Sequence, residues 1–224
     1  YEATGNPYYK HLGVTSLERL FHENELPDGL FTSSEWTRGR GIMHSHETCD
    51  AIDMSWTLGY YLEILKEAKY ADMLEKIVFN AGMGSVANDF KSLQYYSSVN
   101  QFICTGTSNH NKDNYCSTWM AYRPTHQTEC CAGQIHRLMP NYAARMWLRS
   151  KDGVVAALYG PSKFNYDEGL SFVQQTSYPY DERVTIRVEA NKAKKLALHL
   201  RIPTWCEGAT LSVNGKKVEV KANE

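Results

Sequence analysis

Met54-Ser55-Trp56-Thr57-Leu58-Gly59-Tyr60-Tyr61-Leu62-Glu63-Ile64-Leu65 places Met54, Leu58, Tyr61, Leu62 and Leu65 at i, i+4, i+7, i+8 and i+11, one face of an α-helix. Downstream, Tyr70, Met73, Leu74, Ile77 and Val78 repeat the pattern before Gly82 and Gly84. Upstream, Tyr8 to Phe21 reads as a further helix, followed by a turn at Pro27-Asp28-Gly29. Ile135, Leu138, Met139, Tyr142 and Met146 predict one more helix. From about Gly153 the period falls to two. Val184, Ile186 and Val188 alternate with Thr185 and Arg187, and Leu196, Leu198, Leu200 and Ile202 do the same. Asn214-Gly215 between Leu211/Val213 and Val218/Val220 is a strong hairpin signal. The expected fold class is therefore all-α then all-β, with two segregated regions, residues 1–150 and 151–224.

The 224 residues suffice for one large domain or two small ones. A formal net charge of -1 gives no electrostatic case for nucleic acid or an anionic membrane as partner. No apolar run approaches the ~20 residues of a spanning helix. Fifteen Tyr and five Trp allow aromatic surfaces that stack on sugars, although core and surface tyrosines are the ordinary use. The chain starts at Tyr1 without a signal-peptide pattern and stops at Glu224 just past a predicted strand, so both ends read as cut and localisation is not legible. Oligomeric state is not legible either.

Adjacent Cys130 and Cys131 carry the chemistry, because neighbouring cysteines seldom bond to each other. Glu47-Thr48-Cys49 supplies a second half-site. Together Glu47, Cys49, Cys130 and Cys131 offer one oxygen and three thiolates, a set suited to tetrahedral zinc, and the fold must join halves distant in sequence. Glu47 and Cys49, two apart, point to nearly opposite sides of a regular helix, so they converge only in the turn leading into one. Cys130 and Cys131 lie just before a predicted helix, whose dipole favours thiolate. The alternative is a metal staple without chemistry, since four protein ligands are the habit of structural zinc. Of the other cysteines, Cys104, Cys116 and Cys206, none demands a disulfide framework at this length.

Glu35 beside Trp36 is a candidate proton donor, because an apolar neighbour favours the acid form; the alternative is a surface carboxylate. His44, His46, His110, His126 and His136 are scattered around these motifs. His46 and His126, nearest the candidate ligands, are the candidate substrate-binding pair, against the ordinary reading of exposed or core-satisfied histidines.

Glu47-Thr48-Cys49, Cys130-Cys131 with His136 shortly after, and Arg201-Ile202-Pro203-Thr204-Trp205 followed by Val213-Asn214-Gly215 resemble glycoside hydrolase family 127, typified by bacterial β-L-arabinofuranosidases. The resemblance implies a partial (α/α)6 barrel over 1–150 followed by a β-sandwich domain over 151–224. It implies zinc held by Glu47, Cys49, Cys130 and Cys131, with Cys130 as nucleophile and Glu35 as acid/base. The implied function is a retaining exo-glycosidase that releases L-arabinofuranose from a carbohydrate substrate of plant type. Ala132-Gly133-Gln134 after Cys131 departs from many members. Only about four of twelve barrel helices are covered, so the isolated chain is expected to expose apolar faces and to turn over poorly. Two other classes compete: a zinc-stapled carbohydrate-binding protein, and a thiol-redox protein, the latter weakened by the absence of Cys-x-x-Cys.

Overall fold

The computed structural model describes residues 1–101, 119–126 and 130–220; Cys104, Cys116 and His110 lie outside them. The element order is helical first. α1 (Pro7–Asn24) starts at Asn6, whose side chain accepts from the Tyr8 N–H, with Pro7 in the first turn where no donor is needed. It buries Leu17, Phe21 and Asn24, while Tyr8, Tyr9 and Leu12 at its start are exposed. α2 (Thr48–Leu65) buries Ala51, Ile52, Ser55, Leu58 and Leu62 on one stripe and ends where Lys66 turns left-handed at φ 60°. α3 (Ala68–Lys76) runs straight into a π-helical turn, Ile77–Gly82, that buries Ile77, Val78 and Ala81. A Cβ at Gly82 would stand 2.8 Å from a methyl of buried Leu138, which would have to shift to admit any larger residue.

The helix expected over 135–146 is broken. α4 (Cys130–Gln134) gives way to a 3-10 turn, Ile135–Arg137, and then to α5 (Leu138–Ala143). Pro140 is the reason: it lacks the N–H that would bond one turn back, so the helix can only restart around it. Met139 points outward, and Met146 is buried beyond the helix end.

Strands begin earlier than Gly153. β1 (His46–Glu47) and β2 (Tyr96–Ser97) form a short antiparallel pair within the helical part. β3 (Trp147–Arg149), β4 (Gly153–Ala156) and β8 (Ala197–Leu200) make one sheet, in which β4 pairs β3 antiparallel and β8 parallel. β5 (Ser162–Asp167), β6 (Leu170–Gln175) and β7 (Thr185–Ala190) make an antiparallel meander. Val184 and Ile186 pack on the core, whereas Val188, further along β7 at one edge of the meander, is exposed. β9 (Leu211–Val213) and β10 (Lys216–Val218) close on Asn214 and Gly215 at φ 50° and 79°, the two left-handed residues of a type I′ turn.

The helical and strand regions share one buried cluster rather than keeping separate cores. It runs from Leu17, Ile52 and Leu74 through Tyr142 to Val154, Leu158 and Phe172. Buried Arg201 ties the two further: its guanidinium pairs with Asp72 and, at 2.5 Å, with Glu75, both on α3. Its Nε also donates to the Ala157 carbonyl at 2.6 Å, and the Tyr178 hydroxyl donates to Glu75. Among the described residues no helix is long and apolar enough to cross a membrane.

Candidate metal centre and active site

Strand pair β1/β2 and the start of α2 build one half of the site. Glu47 is extended (φ -90°, ψ 142°) and caps α2, whereas Cys49 lies in its first turn, so the two side chains converge where two helical residues could not. Thr48 between them is fixed by its N–H to the Tyr95 carbonyl (3.0 Å) and its hydroxyl to the Gln94 carbonyl (2.7 Å). α4 supplies the other half, Cys130 and Cys131. Both sulfurs sit 3.5 Å from Glu47 Oε1, and the Cys49 and Cys131 sulfurs are 3.2 Å apart, well beyond the about 2.05 Å of a disulfide. One ligand atom from each of Glu47, Cys49, Cys130 and Cys131 lies within 4.8 Å of the others, so the four could hold a metal ion.

Electrostatics favour a cation there. Burial, followed by the Cys49 sulfur and the Glu47 charge, pushes the Cys130 thiol up to about 11, although a hydrogen bond with Tyr95 opposes the rise. The thiol of Cys131 is pushed far higher by its contact with Cys49 and by burial. With their thiols raised in this way beside a carboxylate, Cys130 and Cys131 resist ionisation until a positive charge joins them. Burial raises the Tyr95 phenol as well, so it stays protonated and can donate to Cys130 Sγ at 2.8 Å. Tyr95 stacks on Trp119 with ring centroids 4.3 Å apart, and both belong to a small apolar cluster with Tyr96, Leu93 and Met120 that walls the thiols. Beside Cys49, burial raises the Asp50 carboxyl to about 6, partly offset by a hydrogen bond from Ser33.

Glu35 reaches this wall from a different loop. Its Oε1 accepts from the Tyr96 hydroxyl at 3.0 Å, and Tyr96 stands edge-on to Tyr95 (5.1 Å between centroids). Among the described residues no apolar pocket forms around Glu35 beside Trp36. Glu35 and Trp36 are both exposed, and Trp36 lies under the Arg38 guanidinium, 4.6 Å from the ring centroid. The reason is local: Glu35 adopts φ 75°, and the Ser34 N–H donates to the Trp36 carbonyl, reversing the chain within three residues. A side chain held in that left-handed region costs about 1 kcal/mol.

His46 is 2% exposed, with Nε2 2.5 Å from Asp28 Oδ2 and Nδ1 3.2 Å from Ser97 Oγ, so both ring nitrogens are used within the protein. It clamps β1 to β2 and to the Pro27–Gly29 turn. His126 is partly buried, Nε2 3.0 Å from the Leu93 carbonyl and edge-on to Tyr95. His136 is exposed on the 3-10 turn. Tyr95, Tyr96, Asp28 and Gln134 are the site residues that sequence reasoning missed. The adjacent tyrosines before Ser97 were indistinguishable from core aromatics, and Asp28 looked like a turn residue.

Comparison with known proteins gives a consistent picture. Residues 29–144 match the family described as "Beta-L-arabinofuranosidase, GH127 catalytic domain", and residues 153–224 match "Beta-L-arabinofuranosidase, GH127 middle domain". A non-reducing end β-L-arabinofuranosidase of Bifidobacterium longum subsp. longum is 29% identical over 181 residues, 76% of this chain and 26% of the relative. A GH127 β-L-arabinofuranosidase from Geobacillus stearothermophilus T6 superposes with TM-score 0.78 at 24% identity, covering 92% of this chain and 34% of that one. A GH127 β-arabinofuranosidase structure gives 0.77 at 19% identity, over 99% of this chain and 37% of that one. The chain thus spans about a quarter of the curated relative's length and about a third of the solved structures'.

Proposed function

This chain belongs to glycoside hydrolase family 127, and from that premise we propose that its Glu47/Cys49/Cys130/Cys131 cluster holds zinc at the catalytic centre of a retaining exo-glycosidase releasing L-arabinofuranose from carbohydrate. The observation that carries the reading is the convergence of one carboxylate and three thiols, from two stretches distant in sequence, within 4.8 Å. At the ~2.3 Å Zn–S and ~2.0 Å Zn–O distances of a tetrahedral site, oxygen and sulfur ligands stand roughly 3.5 Å apart. The 3.5 Å from Glu47 Oε1 to the Cys130 and Cys131 sulfurs fits that spacing. Soft sulfur donors select zinc over magnesium or calcium. The barrel-then-sandwich organisation, with residues 1–150 as later barrel helices and 151–224 as sandwich, is supported by the order of the two family matches and by helices preceding strands.

When bound, zinc supplies the positive charge that keeps the cysteine sulfurs ionised at neutral pH. Cys130 is the candidate nucleophile because it is the ligand that is not fully buried and that faces a protein hydroxyl, Tyr95. Its sulfur attacks the anomeric carbon, forming a C–S bond as the glycosidic C–O bond breaks. Glu35 gives its proton to the departing oxygen. In the second half, Glu35 takes a proton from water, the water oxygen attacks the same carbon, and the sulfur leaves with its electron pair. Tyr96 holds one Glu35 oxygen and leaves the other free for the proton. His46 and His126 are proposed as the substrate-binding pair; with both ring nitrogens of His46 engaged by Asp28 and Ser97, His46 acts on the substrate through the β1/β2 pair.

A zinc-stapled carbohydrate-binding protein is the second reading, favoured by the fact that all four ligands come from protein. Covalent trapping tests the first. An arabinofuranosyl donor with a good leaving group, quenched in acid and mapped by peptide mass spectrometry, should leave a pentosyl group on Cys130. A pentosyl group on Glu35 or Glu47 would overturn the assignment of the nucleophile.

A further inference from the structure

Two helical stripes with identical spacing face each other below the metal cluster. On α2, Cys49, Asp53 and Trp56 stand at i, i+4 and i+7. Across from them Cys130, Gln134 and Arg137 stand at i, i+4 and i+7 along α4 and the 3-10 turn that follows. That spacing puts each triplet on one helical face. The side chains meet in rungs. Arg137 Nη1 lies 3.2 Å from Asp53 Oδ1, and its guanidinium is 4.3 Å from the Trp56 ring centroid. The same Nη1 is 2.6 Å from Gln134 Oε1, and Gln134 Nε2 is 3.7 Å from Cys49 Sγ.

The chemistry of the donors orients the Gln134 amide. A guanidinium can only donate, so the amide atom facing Arg137 must be the oxygen. The –NH2 then points the other way, at the Cys49 sulfur. Arg137 is itself pinned by Asp53 and by the face of Trp56, so the amide has little freedom to flip. We infer that Gln134, oriented by Arg137, is a positioning residue that donates an N–H to the Cys49 sulfur and holds that ligand for the metal.

The inference rests on the proposed reading that the four-residue cluster holds zinc. An N–H aimed at the Cys49 sulfur fixes which lone pair remains for the cation. Partners of this kind around a metal ligand typically matter by 10–100-fold in affinity. The three thiols are thereby differentiated: Tyr95 faces Cys130 and Gln134 faces Cys49, while Cys131 is fully buried against Cys49.

The test uses the purified chain, titrated with zinc(II) against a competing chelator and, separately, loaded with cobalt(II) to read the sulfur-to-cobalt charge-transfer band. Gln134→Glu keeps the size and the Arg137 pair but puts only acceptors toward Cys49. Gln134→Met removes the donor without adding charge. Both are expected to weaken zinc binding by about 10–100-fold and to shift the cobalt band. Arg137→Met, which leaves the cluster intact but frees the amide to rotate, should weaken zinc in the same direction and by less. Thermal melting by circular dichroism reports whether each variant is folded. Wild-type zinc affinity and an unchanged cobalt band in folded Gln134→Met would overturn the inference and leave the zinc reading standing. A folded wild-type chain that takes up neither zinc nor cobalt would remove both.

Discussion

Replacing Cys130 by Ser is expected to lower turnover of an arabinofuranoside by about 10³-fold or more while the protein stays folded. Oxygen matches sulfur in shape but is a poorer nucleophile, and an alkyl hydroxyl is not ionised near neutral pH by a neighbouring carboxylate. Glu47, Cys49 and Cys131 remain as metal ligands in the variant, so metal content should fall less than activity. Because the chain spans about a third of the solved relatives, the assay belongs in a polypeptide of their full length carrying these residues. Initial rates on nitrophenyl β-L-arabinofuranoside, with metal content measured on the same samples, are the readout. A variant that retains a tenth or more of wild-type turnover would remove Cys130 as nucleophile. If the wild-type protein also binds glycans without cleaving them, the carbohydrate-binding reading takes its place.

Arg201→Met is expected to destabilise the chain by about 3–5 kcal/mol, the cost of breaking a buried ion pair from one side. Arg201 is 7% exposed and Glu75 5% exposed, so losing the guanidinium leaves carboxylates of α3 without their counter-charge. Only the Tyr178 hydroxyl still donates to Glu75 among the described partners. For a chain of this length such a loss lowers the melting temperature by roughly 6–20 °C. Arg187→Met is the control, since its pair with Glu189 is exposed and worth about 1 kcal/mol at most. Denaturant unfolding of the two variants beside wild type settles the matter. A loss below about 1 kcal/mol in Arg201→Met would mean that the helical and strand regions do not depend on this tie.

What was legible in the sequence is what local periodicity encodes. The stripe from Met54 to Leu65 gave α2, and Asn214-Gly215 gave the last hairpin, because both are set by residues within a few positions of each other. The cluster of Glu47, Cys49, Cys130 and Cys131 was legible for a different reason: few other roles suit a vicinal cysteine pair. The geometric demand that Glu47 and Cys49 meet in a turn was answered by an extended Glu47 capping α2. What stayed hidden depends on distant partners. The parallel pairing of β4 with β8 spans the whole β5–β7 meander, and nothing in an alternating pattern names its neighbour. Arg201 was visible as part of a motif but not as the partner of Asp72 and Glu75. Pro140 should have signalled the break in the last helix, since its missing N–H is a local fact. The exposed Glu35 and Trp36 depend on a positive φ that no sequence pattern announces at a glutamate.

Whether Glu47, Cys49, Cys130 and Cys131 together bind zinc is read from the metal content of the purified chain beside Cys131→Ser. Cys131 is fully buried and in contact with both Cys49 and Glu47, so its loss opens the cluster at its centre. About one zinc ion per wild-type chain is expected, and little or none in the variant. A wild-type chain that is folded by circular dichroism and carries no zinc after purification without chelator, and takes up none when it is supplied, would contradict zinc binding by these four residues.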